Sequence, residues 1–328
     1  MQSPREVVKA AIEFTRPERM PVVFDFFEDN DIRGIGWNQI GTGDHSKRIT
    51  FDEWNCGWQR SEVKNMGIVT IHPINEWRDL DAFKWPDPDD RKFYEGMENK
   101  AEGKEGYYIT TGIFMLLFER LHSLRGFENT MADLFLEREN IEKLADRIVE
   151  FDIRIIENIA GRLPGVIDGF TFSDDWGSEQ ALFIDPRLWV EFFKPRYKRI
   201  FDAAHAAGWH VWMHSCGKVN DILGEVHDIG CNVVNLQQPR LLGIEEVGRK
   251  YAGKLGFQTL CDIQHTLPFE SDEYIVAEAK RLLDCWATDD GGFILSDYGD
   301  DVAIGVVPGK KRVMYDAFKN NDRWKNRR

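Results

Sequence analysis

Short apolar runs alternate with amphipathic helical segments along most of this 328-residue chain, and that alternation restricts its fold more than any other feature. The runs are "VVFDFF" at 22–27, "YYITTGIF" at 107–114, "GFTFSDDW" at 169–176 and "HVWMHSCG" at 210–217. "VVNLQQ" at 233–238, "LGFQTLC" at 255–261 and "GFILSDY" at 292–298 follow. They are rich in β-branched and aromatic residues and have the length of buried strands. Between most of them lie helical patterns such as "NIEKLADRIVEFDIRIIENIAGRL", "PRLWVEFFKPRYKRIFDAAHAAG" and "DEYIVAEAKRLLDCWATDDGG". Pro186 marks a helix start and Pro195 a kink or break. The order predicts an α/β fold, a parallel sheet with helices outside. With an eighth strand hidden or degraded, the seven runs predict a closed (β/α)8 TIM barrel. An open doubly wound sheet competes, but "VVFDFFEDND" is followed by no Gly-rich phosphate loop.

The opening "SPREVVKAAIEF" predicts a helix. Ser3 caps it, Pro4 suits its first turn and Glu6 completes a capping box. Residues from about 30 to 106 differ from the rest: they are rich in Trp, Asp, Glu and Gly, with poor helical periodicity. They predict an insertion with a β-hairpin or two, covering one barrel end. No repeat or linker divides the chain, so 1–328 is expected to be one domain.

A net charge of −14 argues against a nucleic-acid partner, which needs a basic face. No apolar run reaches the eighteen or so residues a membrane span needs. The N-terminus lacks the apolar core of a signal peptide, so a cytoplasmic location is expected. Five widely spread cysteines, Cys56, Cys216, Cys231, Cys261 and Cys285, predict free thiols rather than a disulfide framework.

In a barrel, chemistry sits at the carboxyl ends of the strands. Those ends are polar here: Asp25 after the first run, Glu119, Arg120 and His122 after the second, Asp174 and Asp175 after the third. His214 and Cys216, then Asn235, Gln237 and Gln238, then Asp262, Gln264 and His265, then Asp297 and Tyr298 follow in turn. Residues two apart on a strand share a face, so His214 and Cys216 are placed to grip one ion. Zinc accepts imidazole nitrogen and thiolate sulfur, and a catalytic zinc takes three protein ligands. The alternative is a core thiol beside a hydrogen-bonded histidine, and spacing by itself favours that alternative.

Together these pieces resemble the uroporphyrinogen decarboxylase superfamily. "REVVKAAIEFTRPERMPV" is similar to its N-terminal helix and first strand. "FDEWNCGWQR" and "HPINEWRDLDAFKWPDPDD" are similar to the insertion of its corrinoid-dependent methyltransferase-like branch. "HSCGKVNDILGEVHDIGCNVVNLQQP" and "CDIQHTLPF" are similar to its central barrel strands. The resemblance implies a (β/α)8 barrel with a deep cleft. In the decarboxylases an Arg-rich segment holds the porphyrinogen carboxylates. Here "DFFEDNDIRGIGW" has Arg33 as its single base among acids, which points away from that substrate. In the methyltransferases the equivalent of "HSCG" supplies two zinc ligands and a cysteine after the last strand the third. "GGFILSDYGDD" has no cysteine, so the resemblance stops at two ligands.

The expectation is a cytoplasmic enzyme moving a methyl group between a corrinoid (cobalamin), free or on a corrinoid protein, and a small-molecule or thiol acceptor. His214 and Cys216 are the expected zinc ligands, with Asp297 as the third. Asp174 and Glu179 are expected to be catalytic, and Asp25, Gln237 and His265 to contact the cofactor. The resemblance also allows a homodimer. Two readings compete. One is a metal-free decarboxylase of a smaller acid, using Arg120 or His122 with Asp25. The other is a non-catalytic protein that binds a corrinoid or tetrapyrrole.

Overall fold

The structure is a computed structural model that describes residues 1–39, 48–60 and 67–325. Eight parallel strands form a (β/α)8 barrel. They are β1 (Val22–Phe24), β2 (Ile32–Gly34), β3 (Tyr108–Ile113), β4 (Gly169–Ser173), β5 (His210–His214), β6 (Val233–Leu236), β7 (Gly256–Thr259) and β8 (Phe293–Ser296). Each pairs in parallel with its sequential neighbour from β2 to β8, and β8 pairs with β1. A two-residue strand, Asp29–Asn30, runs antiparallel to β1 and fills the seam beside it. Asp31 fixes that seam: its N–H donates to the Val22 carbonyl, its carboxylate accepts the Val22 N–H, and Arg19 grips both its oxygens.

The concealed eighth strand is therefore β2, inside the segment expected to be insertion. It is three residues long, and its register is set by β3, Ile32 opposite Tyr108 and Gly34 opposite Thr110. The expected insertion includes 40–47 and 61–66, which lie outside the described residues. The rest of it contains an antiparallel sheet, Ile49–Phe51, Gly57–Gln59 and Ile68–Ile71. Its inner face carries Trp58, whose ring lies 6.2 Å from Phe114 at the end of β3. Asp52 accepts from Arg120 at 2.8 Å, and the Cys56 thiol donates to the Ser123 carbonyl. These contacts tie the insertion to the helix Phe118–Arg125, at the barrel's carboxyl end.

The opposite end is plugged. The helix Pro4–Ile12 begins with the expected capping box, Ser3 N–H to Glu6 Oε2 at 2.7 Å and Glu6 N–H to Ser3 Oγ at 3.3 Å. Its Val8 and Ile12 pack with inward-facing Tyr108, Trp212, Val233 and Ile294, all buried. Gly169 makes room for this layer, because a Cβ there would lie 2.8 Å from the Tyr108 hydroxyl and 2.9 Å from Trp212 Nε1. Outside the barrel, the 25-residue helix Arg138–Arg162 buries Ile141, Leu144, Ile148, Ile155 and Ile159 along one stripe. Pro195 supplies no N–H to the turn before it, and Trp189–Phe193 widens into a π-helix. Among the described residues no helix is long and apolar enough to cross a membrane.

Candidate metal centre and cleft

A cleft of about 510 Å³ opens at the carboxyl ends of the strands. Its lining includes His214, Asn235, Gln237, Gln258 and Asp297, with Trp212 between the cleft and the plug below. A smaller lobe of about 260 Å³ shares Gly34, Thr171, Trp212 and Gln258 with it and reaches Asp25 and Arg33.

The segment "HSCG" is fixed residue by residue. Ser215 Oγ accepts the Trp176 N–H at 3.0 Å, the Cys216 N–H donates to Asp175 Oδ1 at 2.8 Å, and the Gly217 N–H donates to Gln238 Oε1 at 2.7 Å. Gly217 has φ +81°, and a Cβ there would lie 2.0 Å from the Gly177 carbonyl oxygen. No other residue type tolerates both conditions. The loops after β4 and β5 are thus pressed together, which carries Asp175 to the His-x-Cys pair.

The Cys216 sulfur lies 3.5 Å from His214 Nε2, and Asp175 Oδ1 lies 3.8 Å from the same nitrogen. One ligand atom from each of Asp175, His214 and Cys216 falls within 4.8 Å of the others. A tetrahedral zinc with bonds of about 2.3 Å to sulfur and about 2.0 Å to nitrogen holds those two atoms about 3.5 Å apart. The donor set therefore fits zinc. His214 Nδ1 is 2.6 Å from Asn235 Oδ1. An amide oxygen only accepts, so Nδ1 carries the proton and Nε2 turns its lone pair toward Cys216 and Asp175. Burial, and after it the Asp175 carboxylate, push the Cys216 thiol up to about 12. Without a cation it stays protonated at neutral pH.

Asp174 and Asp175 are adjacent in sequence and opposite in placement. Asp174 is fully buried and caps the start of the helix Phe118–Arg125. It accepts the N–H groups of Leu117, Phe118 and Glu119 at 3.0, 2.8 and 2.7 Å, and the Tyr197 hydroxyl. Burial pushes its carboxyl up to about 6, against the opposing pull of these four donors. Glu119 beside it has one long bond from Ser173 Oγ and the N–H of Asp175. Burial, then Asp174 and Asp175, push the Glu119 carboxyl up to about 8.

Of the other expected site residues, Gln237 lines the cleft. Asp297 lines it too, but its side chain is 6% exposed and is bound by Lys311 at 2.7 Å. The structure brings Asp175, rather than Asp297, into the ligand cluster. Asp25 is exposed and borders the small lobe. Glu179 and His265 are exposed and line neither cavity. Arg120 is buried against Asp52 and Trp54, and burial pushes the His122 imidazole down to about 4. Neither lines the cleft. Asp175 had a signal: it shares strand parity with Thr171 and Ser173, which both line the cleft, whereas Asp174 has the opposite parity. Lys311 comes from the last helix, Pro308–Asn320, and nothing near it in sequence announces its role.

An eight-stranded parallel barrel with metal-type ligands and free amides at its carboxyl face defines a class, the (β/α)8 proteins with an enzyme-type cleft. A family model described as uroporphyrinogen decarboxylase (URO-D) matches residues 55–320, and the chain belongs to that family. Among solved structures, a methyltransferase from Methanosarcina mazei superposes with a TM-score of 0.72 at 13% identity, covering 98% of this chain and 99% of that one. The intracellular xylanase TsXylA from Thermoanaerobacterium saccharolyticum has a TM-score of 0.40 at 12% identity, covering 66% of this chain and 75% of its own. No curated protein matches the chain in sequence.

Proposed function

We propose that this chain is a zinc-assisted methyltransferase, moving a methyl group between a corrinoid and a small-molecule or thiol acceptor. The observation that carries the reading is the cluster of Cys216 Sγ, His214 Nε2 and an Asp175 oxygen within 4.8 Å at the ends of adjacent strands. Membership of the family and the likeness along nearly the whole chain to the Methanosarcina mazei methyltransferase support the same class.

Zinc, when bound, supplies an open coordination position that lowers the pKa of an acceptor's heteroatom. The protein's own groups do the rest. Asn235 holds the His214 proton at Nδ1, which keeps Nε2 free for ligation. The Cys216 thiol gives up its proton on ligation, so metal uptake releases acid. Asp174 anchors the helix start that carries Glu119, whose neutral carboxyl then stands beside Asp175 as a proton donor. Trp58 and Phe114 close one rim against water.

The test has two arms. Protein stripped with a chelator and titrated with zinc is expected to bind one equivalent. Zinc-loaded protein mixed with methylcobalamin and a panel of thiols and small acceptors is expected to consume the methyl–cobalt absorbance. No zinc uptake defeats the metal assignment, and zinc uptake without methyl transfer across the panel defeats the methyltransferase reading.

A further inference from the structure

The cleft carries a charge pattern that selects a substrate class. Among the described residues no lysine or arginine lines the 510 Å³ cleft. The one carboxylate among its described lining residues, Asp297, is already taken by Lys311. In the small lobe Arg33 and Asp25 face the same space with opposite signs, and the Arg33 guanidinium lies over the Tyr107 ring at 5.0 Å. In the metal-free cleft an acidic substrate would find no lysine or arginine among the described lining residues to pair with, and burying an unpaired charge is costly.

The polar groups left over are amides. Among the described residues, the side chains of Gln39, Gln237 and Gln258 have no hydrogen-bond partner, and all three line the cleft. Asn235 differs, since its oxygen holds His214 and its nitrogen reaches the Gln258 carbonyl. Each free amide offers an acceptor and two donor hydrogens without a formal charge. Trp212 has its N–H committed to the Tyr108 hydroxyl at 3.2 Å, so its ring offers the cleft apolar surface, as does Phe114.

We infer that the substrate read by this cleft is an uncharged aromatic or heteroaromatic molecule bearing amide-, urea- or hydroxyl-type groups, with Gln237 and Gln258 as the specificity-determining residues. This rests on the cleft being the substrate site of the proposed methyltransferase, yet it is tested without the metal. A site with unpartnered hydrogen-bonding groups rejects molecules that leave them unpaired, and a neutral one rejects ions.

Three matched probes separate the possibilities: benzamide, benzoate and benzylamine. Each is titrated by ligand-observed NMR into the full-length protein, first with chelator present and then zinc-loaded. With chelator, benzamide is expected to bind at least about tenfold more tightly than either ion. Gln258→Leu and Gln237→Leu are each expected to weaken benzamide by about three- to tenfold while the melting temperature holds. Benzoate or benzylamine binding as well as benzamide would overturn the inference. So would unchanged benzamide affinity in both leucine variants. Zinc titration of the same variants reads the metal site separately: normal zinc uptake with no benzamide preference defeats only this inference.

Discussion

Strand β5 carries a histidine at each end, and the two have different fates. His210 and His214 are four residues apart, so both point into the barrel. At the plugged end, His210 Nδ1 meets the Tyr108 hydroxyl at 2.9 Å, its ring stacks on Tyr108, and Nε2 faces Glu13 at 3.3 Å. At the open end, His214 is held by Asn235 and faces a thiol and a carboxylate. Trp212, between them, floors the cleft and tops the plug. Residue type and strand position are the same in kind at both ends. What differs is the partner set that neighbouring strands deliver: a phenol closed over by the N-terminal helix, against an amide, a sulfur and a carboxylate left open. A histidine in a barrel is read by its neighbours, not by its strand.

The largest test of that contrast is stability at the open end. Asp174→Ala removes the acceptor for three N–H groups and a phenol in a fully buried position. It is expected to cost about 3 to 4 kcal/mol in denaturant unfolding. Asp175→Ala, one residue on and partly exposed, is expected to cost less than about 1 kcal/mol while removing zinc uptake. If the two costs came out equal, the division between a supporting and a site-facing aspartate would fail.

Next in size is the orienting amide. Asn235→Ala is expected to weaken zinc by about tenfold, read by competition with a chromophoric chelator. Tyr108→Phe, the matching change beside His210, is expected to cost about 1 kcal/mol of stability and leave zinc affinity unchanged.

A pH slope probes the same end of the barrel through Glu119. The folded protein holds the Glu119 proton up to about 8, whereas an ordinary glutamate releases it near 4.5. Between those values Glu119 holds its proton more in the folded state than in the unfolded, so its contribution to metal-free stability falls as pH rises through that window. Glu119→Gln is expected to flatten the slope in urea melts run from acid to pH 8. An unchanged slope would mean that Glu119 ionises normally.

Much of this was legible in the sequence, for physical reasons. Seven strands announce themselves because buried parallel strands must be apolar. β2 does not, because three residues, "IRG", are held by pairing with β3 and by Asp31 rather than by their own hydrophobicity. Strand parity puts His214 and Cys216 on one face, and the family resemblance, not the spacing, makes them the expected ligands. Asp175 follows from the same rule applied to β4, which puts Asp174 on the opposite face. Asp297 sits at the expected strand end, and its engagement by Lys311 depends on how the last helix docks, which no local pattern encodes. The approach of the loops at Gly177 and Gly217 is equally tertiary.

The most direct test of the central claim is the absorption spectrum of the cobalt(II)-loaded protein. One equivalent per chain is expected to give tetrahedral d–d bands and a thiolate-to-cobalt charge-transfer band. The charge-transfer band is expected to vanish in Cys216→Ser and to persist in His210→Ala. Failure to bind cobalt, or a thiolate band that survives Cys216→Ser, would contradict the assignment of Asp175, His214 and Cys216 as a metal centre.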